Sequence, residues 1–266
     1  MSKITIWPLE TSYDADELIS KYTEFQEQSR SILGKNTSIK PHLLSEYFYN
    51  LATNEEVLNS VKSIIGPNVN IWSSAFFHKK KNSKTYVGFH SDKPYWQLSS
   101  DNVVTAWIAL TKSTKSNGCL HLVKENSDIE AGELDVSNPY ISYRNSVKTT
   151  EKEDLISFNQ KIVGNPSKYA LPVELKPGQF SLHGIQVIHG SGPNTSDIDR
   201  IGYAIRFIDS ETCHLIHKED RALHVSGNIS KYLRLEQKPK GEFTASNIQE
   251  HNASTDSAGV FGNKSY

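Results

Sequence analysis

Between residues 14 and 66 the apolar positions recur at helical spacing. Asp14 to about Ser31 carries Leu18, Ile19, Tyr22 and Phe25 near that spacing, with acidic residues early, where a helix N-terminus favours negative charge. A second helix is expected after Pro41, through Leu43, Leu44, Tyr47, Phe48 and Leu51. A third is expected from Thr53, whose T-N-E-E run puts Glu56 at the capping-box position, and it ends before Gly66-Pro67. From Val69 onward the texture changes. The runs VNIWSSAFF, VVTAWIAL, CLHLV, QFSL, VIH and GYAIRFI are β-branched or aromatic, and Gly, Pro, Asn and Ser clusters separate them. Helices followed by many short strands predict a mainly β protein with flanking helices on a jelly-roll or barrel-like core.

Three stretches break the regularity. Lys79 to Thr85 (KKKNSKT) reads as a basic, solvated loop just before His90, with an anion-attracting role as the alternative. Asn126 to about Lys168 is long and polar, holds Tyr140, Tyr143 and Arg144, and has the length of a lid or a disordered segment. From about Gly241 the chain is rich in Asn, Ser, Gly and Thr and reads as a frayed or surface-draped tail. No internal repeat is visible. The expected organisation is one domain over 1–266: a helical part to about 68, a β core from about 69 to 210, and a C-terminal extension from about 211.

Composition narrows the function classes. The formal net charge is −1, which gives no global field for nucleic acid. The two cysteines, Cys119 and Cys213, form neither a zinc spacing nor a disulfide framework, and Cys119 reads as a small buried apolar residue. The N-terminus has no long apolar run, and no stretch approaches the length of a spanning helix. A soluble, cytoplasmic protein acting on a small molecule, with no nucleic-acid or membrane partner, is the expectation; the oligomeric state is not legible.

The chemistry concentrates in His90-Ser91-Asp92, in His189 within HGSGPN, and in Arg200. Two imidazoles and one carboxylate are three ligands for a divalent metal and leave half an octahedron open, the facial arrangement used with O2 at non-haem Fe(II). His90 and Asp92 are two apart, so on a strand both side chains project from one face toward the same ion. The third ligand comes from a distant strand, and His183 is an alternative to His189 in the same segment. An H-x-D pair alone is a weak signal; the pair, the downstream His and the Arg together are a strong one.

The strings VTAWIALTKSTKSNGCLHLV (Val104 to Val123) and GQFSLHGIQVIHGSGPNTSDIDRIGYAIRF (Gly178 to Phe207) resemble the phytanoyl-CoA dioxygenase (PhyH) family of Fe(II)/2-oxoglutarate oxygenases. So does ALHVSGN around Gly227, and the likeness covers roughly residues 70–235. It implies a double-stranded β-helix, cupin-like fold, Fe(II), and 2-oxoglutarate and O2 as cosubstrates. Carried over by motif, His90, Asp92 and His189 match the iron ligands, and the HGSGPN context favours His189, which leaves His183 a core or neighbouring histidine. Arg200 matches the arginine that clamps the distal carboxylate of 2-oxoglutarate, where its two parallel N–H donors suit two carboxylate oxygens. Ser191 falls where a hydroxyl meets that carboxylate, Trp107 where an aromatic packs beside the cosubstrate, and Thr105 on the same strand face. The related halogenases lack the carboxylate, so Asp92 favours hydroxylation over chlorination.

Two departures bear on substrate. The family's usual G-S-H after N-G-C-L reads Glu125-Asn126-Ser127, and Ser91 stands where the coenzyme-A-using relatives carry Gln. Both point away from an acyl-CoA and toward a smaller, amino-acid-like or biosynthetic substrate. Lys93, Tyr95, Trp96, Tyr140, Tyr143 and Arg144 are the candidate substrate residues, with core packing the alternative for Trp96. The expected reaction is hydroxylation of an unactivated C–H bond with release of succinate and CO2. Desaturation, epoxidation or cyclisation by the same radical chemistry is the alternative, followed by a noncatalytic or cupin-type metal protein.

Overall fold

The computed structural model describes residues 5–125, 127–134, 148–150, 155–157, 160–216 and 219–257. The chain opens with an edge strand, β1 (Thr5–Glu10), and then builds its helical layer: α1 (Ala15–Leu33), α2 (Pro41–Leu44), α3 (Glu46–Ala52) and α4 (Glu55–Ile65). The carboxylate of Asp14 caps α1 by accepting from the N–H groups of Asp16 and Glu17, and Gly34 ends it at φ 69°. Leu18, Tyr22, Phe25 and Ser29 form its buried face. The expected second helix is two, because the chain breaks at Ser45, which caps α3 through Phe48 N–H.

The expected start of the next helix at Thr53 is corrected. Asn54 is its cap, accepting from Glu56 and Val57, while the Thr53 hydroxyl and N–H both return to Tyr49 O at 2.9 Å. Thr53 therefore closes the preceding helix. Phe48 joins the helices to the sheet: its ring lies edge-on to Phe25 at 5.4 Å, Phe76 at 4.7 Å and Tyr203 at 5.7 Å.

The β core holds β2 (Val69–Lys79), β3 (Tyr86–His90), a short helix α5 (Lys93–Trp96), β4 (Val103–Ala109), β5 (Leu120–Val123), β6 (Glu130–Leu134), β7 (Lys148–Thr150), β8 (Leu155–Ser157), β9 (Gln160–Val163), β10 (Ala170–Val173), β11 (Gln179–Gly184), β12 (His189–Ser191), β13 (Arg200–Asp209), β14 (Arg221–Ser226) and β15 (Arg234–Leu235). A seven-stranded sheet runs β1-β11-β4-β13-β2-β14-β15 and a six-stranded sheet runs β10-β5-β12-β3-β8-β7, with β6 and β9 forming a separate pair. The expected jelly-roll core is thus present as two facing sheets.

The large sheet is buried on both faces, by different residues. Val104, Ala106, Ile108, Phe180, Leu182, Ile201, Tyr203, Ile205 and Phe207 pack with the helices in one apolar cluster. The alternate positions point between the sheets, where Trp107, Ala109 and Ala204 meet Leu122 and Val187. At two per strand step, Arg200, Gly202, Ala204 and Arg206 therefore face inward.

The expected frayed tail is also corrected. A helix spans Ala245–Ser257, and Asn247, His251, Ser254 and Thr255 on it are buried. Its polar composition hid its packing, because those side chains meet hydrogen-bonding groups. Asn247 Nδ2 donates to Leu44 O at 3.4 Å and His251 Nε2 to Ile39 O at 2.9 Å. Ser254 Oγ accepts from buried Lys40 Nζ at 2.8 Å, and Lys40 pairs with buried Glu236. Burial alone would raise the Glu236 carboxyl, but Lys40 and His42 outweigh it and hold it at about 2.

Replacing Lys40 by Met would leave that carboxylate uncompensated and should cost roughly 3–5 kcal/mol in denaturant unfolding at pH 7. A carboxyl held below its ordinary value stabilises fully above pH 4.5 and loses that contribution as pH falls toward 2. The gap between wild type and variant should shrink over that window. Equal unfolding free energies at neutral pH would show that the pair contributes nothing.

Candidate active site

Strand pairing makes the site. β12 runs antiparallel to β3 with His189 opposite His90, and the two ring centroids lie 4.2 Å apart. Each imidazole is oriented by the carbonyl two residues before it: His90 Nδ1 donates to Gly88 O at 2.9 Å, and His189 Nδ1 donates to Val187 O at 2.9 Å. A carbonyl can only accept, so the proton sits on Nδ1 and the Nε2 lone pair of each ring is available to an ion.

Asp92 arrives differently from the strand expectation. β3 ends at His90, and Asp92 lies at φ −77°, ψ −24° as the cap of α5, its carbonyl accepting from Tyr95 and Trp96 N–H at 3.0 and 3.2 Å. A turn, rather than period-two alternation, swings the carboxylate back to 3.6 Å from His90 Nε2. Ligand atoms of His90, Asp92 and His189 all lie within 4.8 Å of one another, a set able to hold one metal ion. Burial, then the neighbouring His189, keep His90 well below its ordinary value and hence neutral. Burial raises Asp92, opposed by His189 and Arg206. Two imidazoles with Nε2 turned to the same space as one carboxylate suit Fe(II).

His183 is buried with its ring 5.1 Å from that of His189, outside the three-ligand cluster. The alternative distal ligand is thus a neighbour. Thr105 pairs with His183 on one side and with Arg206 on the other, so it belongs to a polar row beside the metal set and not to the surroundings of Arg200.

Arg200 begins β13 with its guanidinium 5.5 Å from the Trp107 ring. The indole fits because Gly202 has no side chain: a Cβ there would lie 1.9 Å from Trp107 Cζ2. Arg200 is buried, which lowers it to about 10, so it stays cationic at neutral pH. Among the described residues its Nε has no hydrogen-bond partner. A buried cation with an orphaned donor fits an anionic ligand.

Lys79 is the residue that sequence reasoning misplaced. It ends β2 in register with Arg200, is buried, and donates from Nζ to Ser191 Oγ at 2.8 Å and to Gly192 O. The basic loop therefore begins one residue later than read, and the alternation of Ser73, Ala75, Phe77 and Lys79 on β2 was the available signal. Burial, then the Arg200 charge, pull its ammonium down to about 7. The glycine of N-G-C-L lies against the same group. Gly118 sits at φ +76°, and a Cβ there would lie 2.4 Å from Gly192 O and 2.9 Å from Lys79 Cδ. Cys119 is buried and free, its thiol raised to about 11 by burial.

The substrate candidates separate. Lys93 is exposed and bonded to Asp101 at 2.7 Å. Trp96 is core, packed on Trp72 at 5.5 Å. Tyr95 is buried with its ring 6.4 Å from that of His90. Tyr140, Tyr143 and Arg144 lie outside the described residues. Arg206, buried on the inward face of β13, was not singled out from sequence; its i+6 relation to Arg200 on one strand face was the signal.

The model of the phytanoyl-CoA dioxygenase (PhyH) family matches residues 14–202. A probable alpha-ketoglutarate-dependent hypophosphite dioxygenase of Stutzerimonas stutzeri is 23% identical over 211 residues, covering 75% of this chain and 67% of that protein. A phytanoyl-CoA dioxygenase domain-containing protein 1 homolog of Caenorhabditis briggsae is 24% identical over 64% of this chain and 57% of its own length. Among solved structures, the non-heme monooxygenase ThoJ superposes with a TM-score of 0.78 at 21% identity, covering 96% of this chain and 92% of that one. CytC3 with Fe(II) and alpha-ketoglutarate gives 0.61 at 19% identity over 91% and 93%. With its double-sheet core and His-Asp-His cluster, the chain belongs to the phytanoyl-CoA dioxygenase (PhyH) family and is a 2-oxoglutarate-dependent, non-haem Fe(II) dioxygenase.

Proposed function

We propose that the enzyme hydroxylates a C–H bond of a small polar molecule, with His90, Asp92 and His189 holding the iron and Arg200, Lys79 and Ser191 holding the distal carboxylate of 2-oxoglutarate. One observation carries the reading: three ligand atoms within 4.8 Å, joined through the β12 strand to a buried cationic pair. Bound there, Fe(II) and 2-oxoglutarate would supply O2 activation and the two-electron oxidation of substrate, with succinate and CO2 as coproducts.

The chain's own residues orient, exclude water and balance charge. Gly88 and Val187 carbonyls fix the imidazole tautomers. Arg200 offers parallel N–H donors, and Lys79 adds a second cation from the adjacent strand. Trp107 shields the guanidinium from solvent, which strengthens its attraction for an anion. Asp92 fills the position that a halide would need, which favours oxygenation. The row of His183, Thr105 and Arg206 beside the metal set supports a small polar substrate, amino-acid-like or an oxyanion, over a long acyl chain. The relative named as a hypophosphite dioxygenase is consistent with a small anion.

The test is anaerobic addition of Fe(II) and 2-oxoglutarate. A weak visible charge-transfer band that requires both should appear, and iron bound without that band would overturn the cosubstrate assignment. Asp92→Ala and His189→Ala should each abolish succinate formation; near-wild-type turnover in either would refute the ligand set. Arg200→Ala should raise the 2-oxoglutarate KM by about 10- to 100-fold, the range for a lost charge-assisted bond.

Lys79 adds a pH dependence. Its proton is held below about pH 7 and released above it, so binding of the dianion takes up a proton at higher pH. The 2-oxoglutarate Kd should therefore rise with pH above 7, by at most about tenfold per unit. Calorimetry in buffers of different ionisation enthalpy checks the proton uptake, and Lys79→Met should bind more weakly with a flat profile.

A further inference from the structure

Gln160 on β9 lies outside every motif that marks the metal set, yet its side chain is buried against Ser91, the residue between two of the ligands. Its Oε1 accepts from the Ser91 backbone N–H at 2.7 Å, and its Nε2 donates to Ser91 Oγ at 3.0 Å and to Gly132 O on β6 at 3.1 Å. The backbone donor against Oε1 and the carbonyl against Nε2 settle which way the amide points. With one acceptor and both donors used, the carboxamide has one seating here.

The place matters because the strand ends at His90 and Asp92 reaches the metal set only through the turn that Ser91 makes. Holding Ser91 by both its N–H and its hydroxyl restrains the torsions that aim both neighbours. The β6–β9 pair that carries Gln160 also backs the two ligand strands. Ile129 and the flanking Ala131 and Ile162 pack with Phe89 and Ile188, the residues immediately before His90 and His189. Successive strand side chains point to opposite faces, so this pair supports from behind the strands whose other face presents the imidazoles.

We propose that Gln160 is a positioning residue for the metal centre, holding the His90–Asp92 turn in its ligating shape and tying it to the β6–β9 pair. The proposal rests on the reading of His90, Asp92 and His189 as the metal ligands. Loss of a group bonded directly to a metal ligand weakens binding by about 10- to 100-fold, and Gln160 acts one residue removed, so about tenfold is expected. Gln160→Met keeps the volume and removes all three hydrogen bonds. It should weaken Co(II) binding to the metal-free protein by that factor and shift the cobalt absorption spectrum. Ser91→Ala removes one bond and should cost about two- to tenfold.

Co(II) titration of the full chain, with a thermal melt of each variant, makes the test. In the Gln160→Met background, Ser91→Ala should add nothing further, since the partner is gone. A wild-type cobalt affinity and spectrum in Gln160→Met, or additive losses in the double variant, would overturn the proposal. If Gln160→Met does not fold, Ser91→Ala alone decides, and an unchanged cobalt affinity and spectrum refute the link. His189→Ala separates the two readings. Cobalt bound as tightly by it as by wild type would overturn the ligand set and the positioning role together. Loss in His189→Ala with none in Gln160→Met would overturn the positioning role alone.

Discussion

The register of β13 between β2 and β4 is the constraint on which the site depends. Arg200, Gly202, Ala204 and Arg206 face the interior while Ile201, Tyr203, Ile205 and Phe207 face the helices. A slip of one residue would exchange the sets, driving two guanidinium groups into an apolar layer and four large apolar side chains into the site. The helical layer therefore does more than cover a surface. By accepting only the apolar set, it aims the charged set at the interior between the sheets.

Two buried charge clusters show what burial means in each place. Lys40 pairs with Glu236, Ser254 bonds to both, and together they tie the C-terminal helix to α2, so their charges are balanced within the chain. Lys79 and Arg200 are both buried basic groups in register, and the Arg200 charge adds to burial in lowering the tendency of Lys79 to stay charged. That arrangement is unfavourable by itself, and on the proposed reading the free energy relieved when a dianion enters becomes affinity. Burial alone does not separate the two; the sign of the local charge sum does.

The metal set follows a parallel logic with smaller charges. Burial and the neighbouring His189 keep His90 neutral, and the lone pairs of both rings are aimed by the carbonyls two residues before them. Preorganisation of this kind means that an ion would meet ring nitrogens already aimed at it. Ser91 and Gln160 bring the third ligand under the same control, because the turn has no strand ladder to hold it.

Much of this was legible in the chain. Helical spacing from Leu18 to Ile65 and the β-branched runs after Val69 marked the layers, because periodicity records which face is buried. His90, Asp92, His189 and Arg200 stood out because their residue types have few other uses in that combination. Local chemistry also misled where partners lie far off. Lys79 read as part of a solvated run, Asn247 and Ser254 as a frayed tail, and Asp92 as a second strand position. Gln160 gave no signal at all, since a lone glutamine is informative only beside what it bonds. Thus the sequence by itself determined the kinds of element and the identities of the reactive groups, which depend on neighbours within a few residues. Only the tertiary structure decided which polar groups are buried, which cations share a strand pair and how the turn at Ser91 is held, because each depends on contacts between segments tens of residues apart.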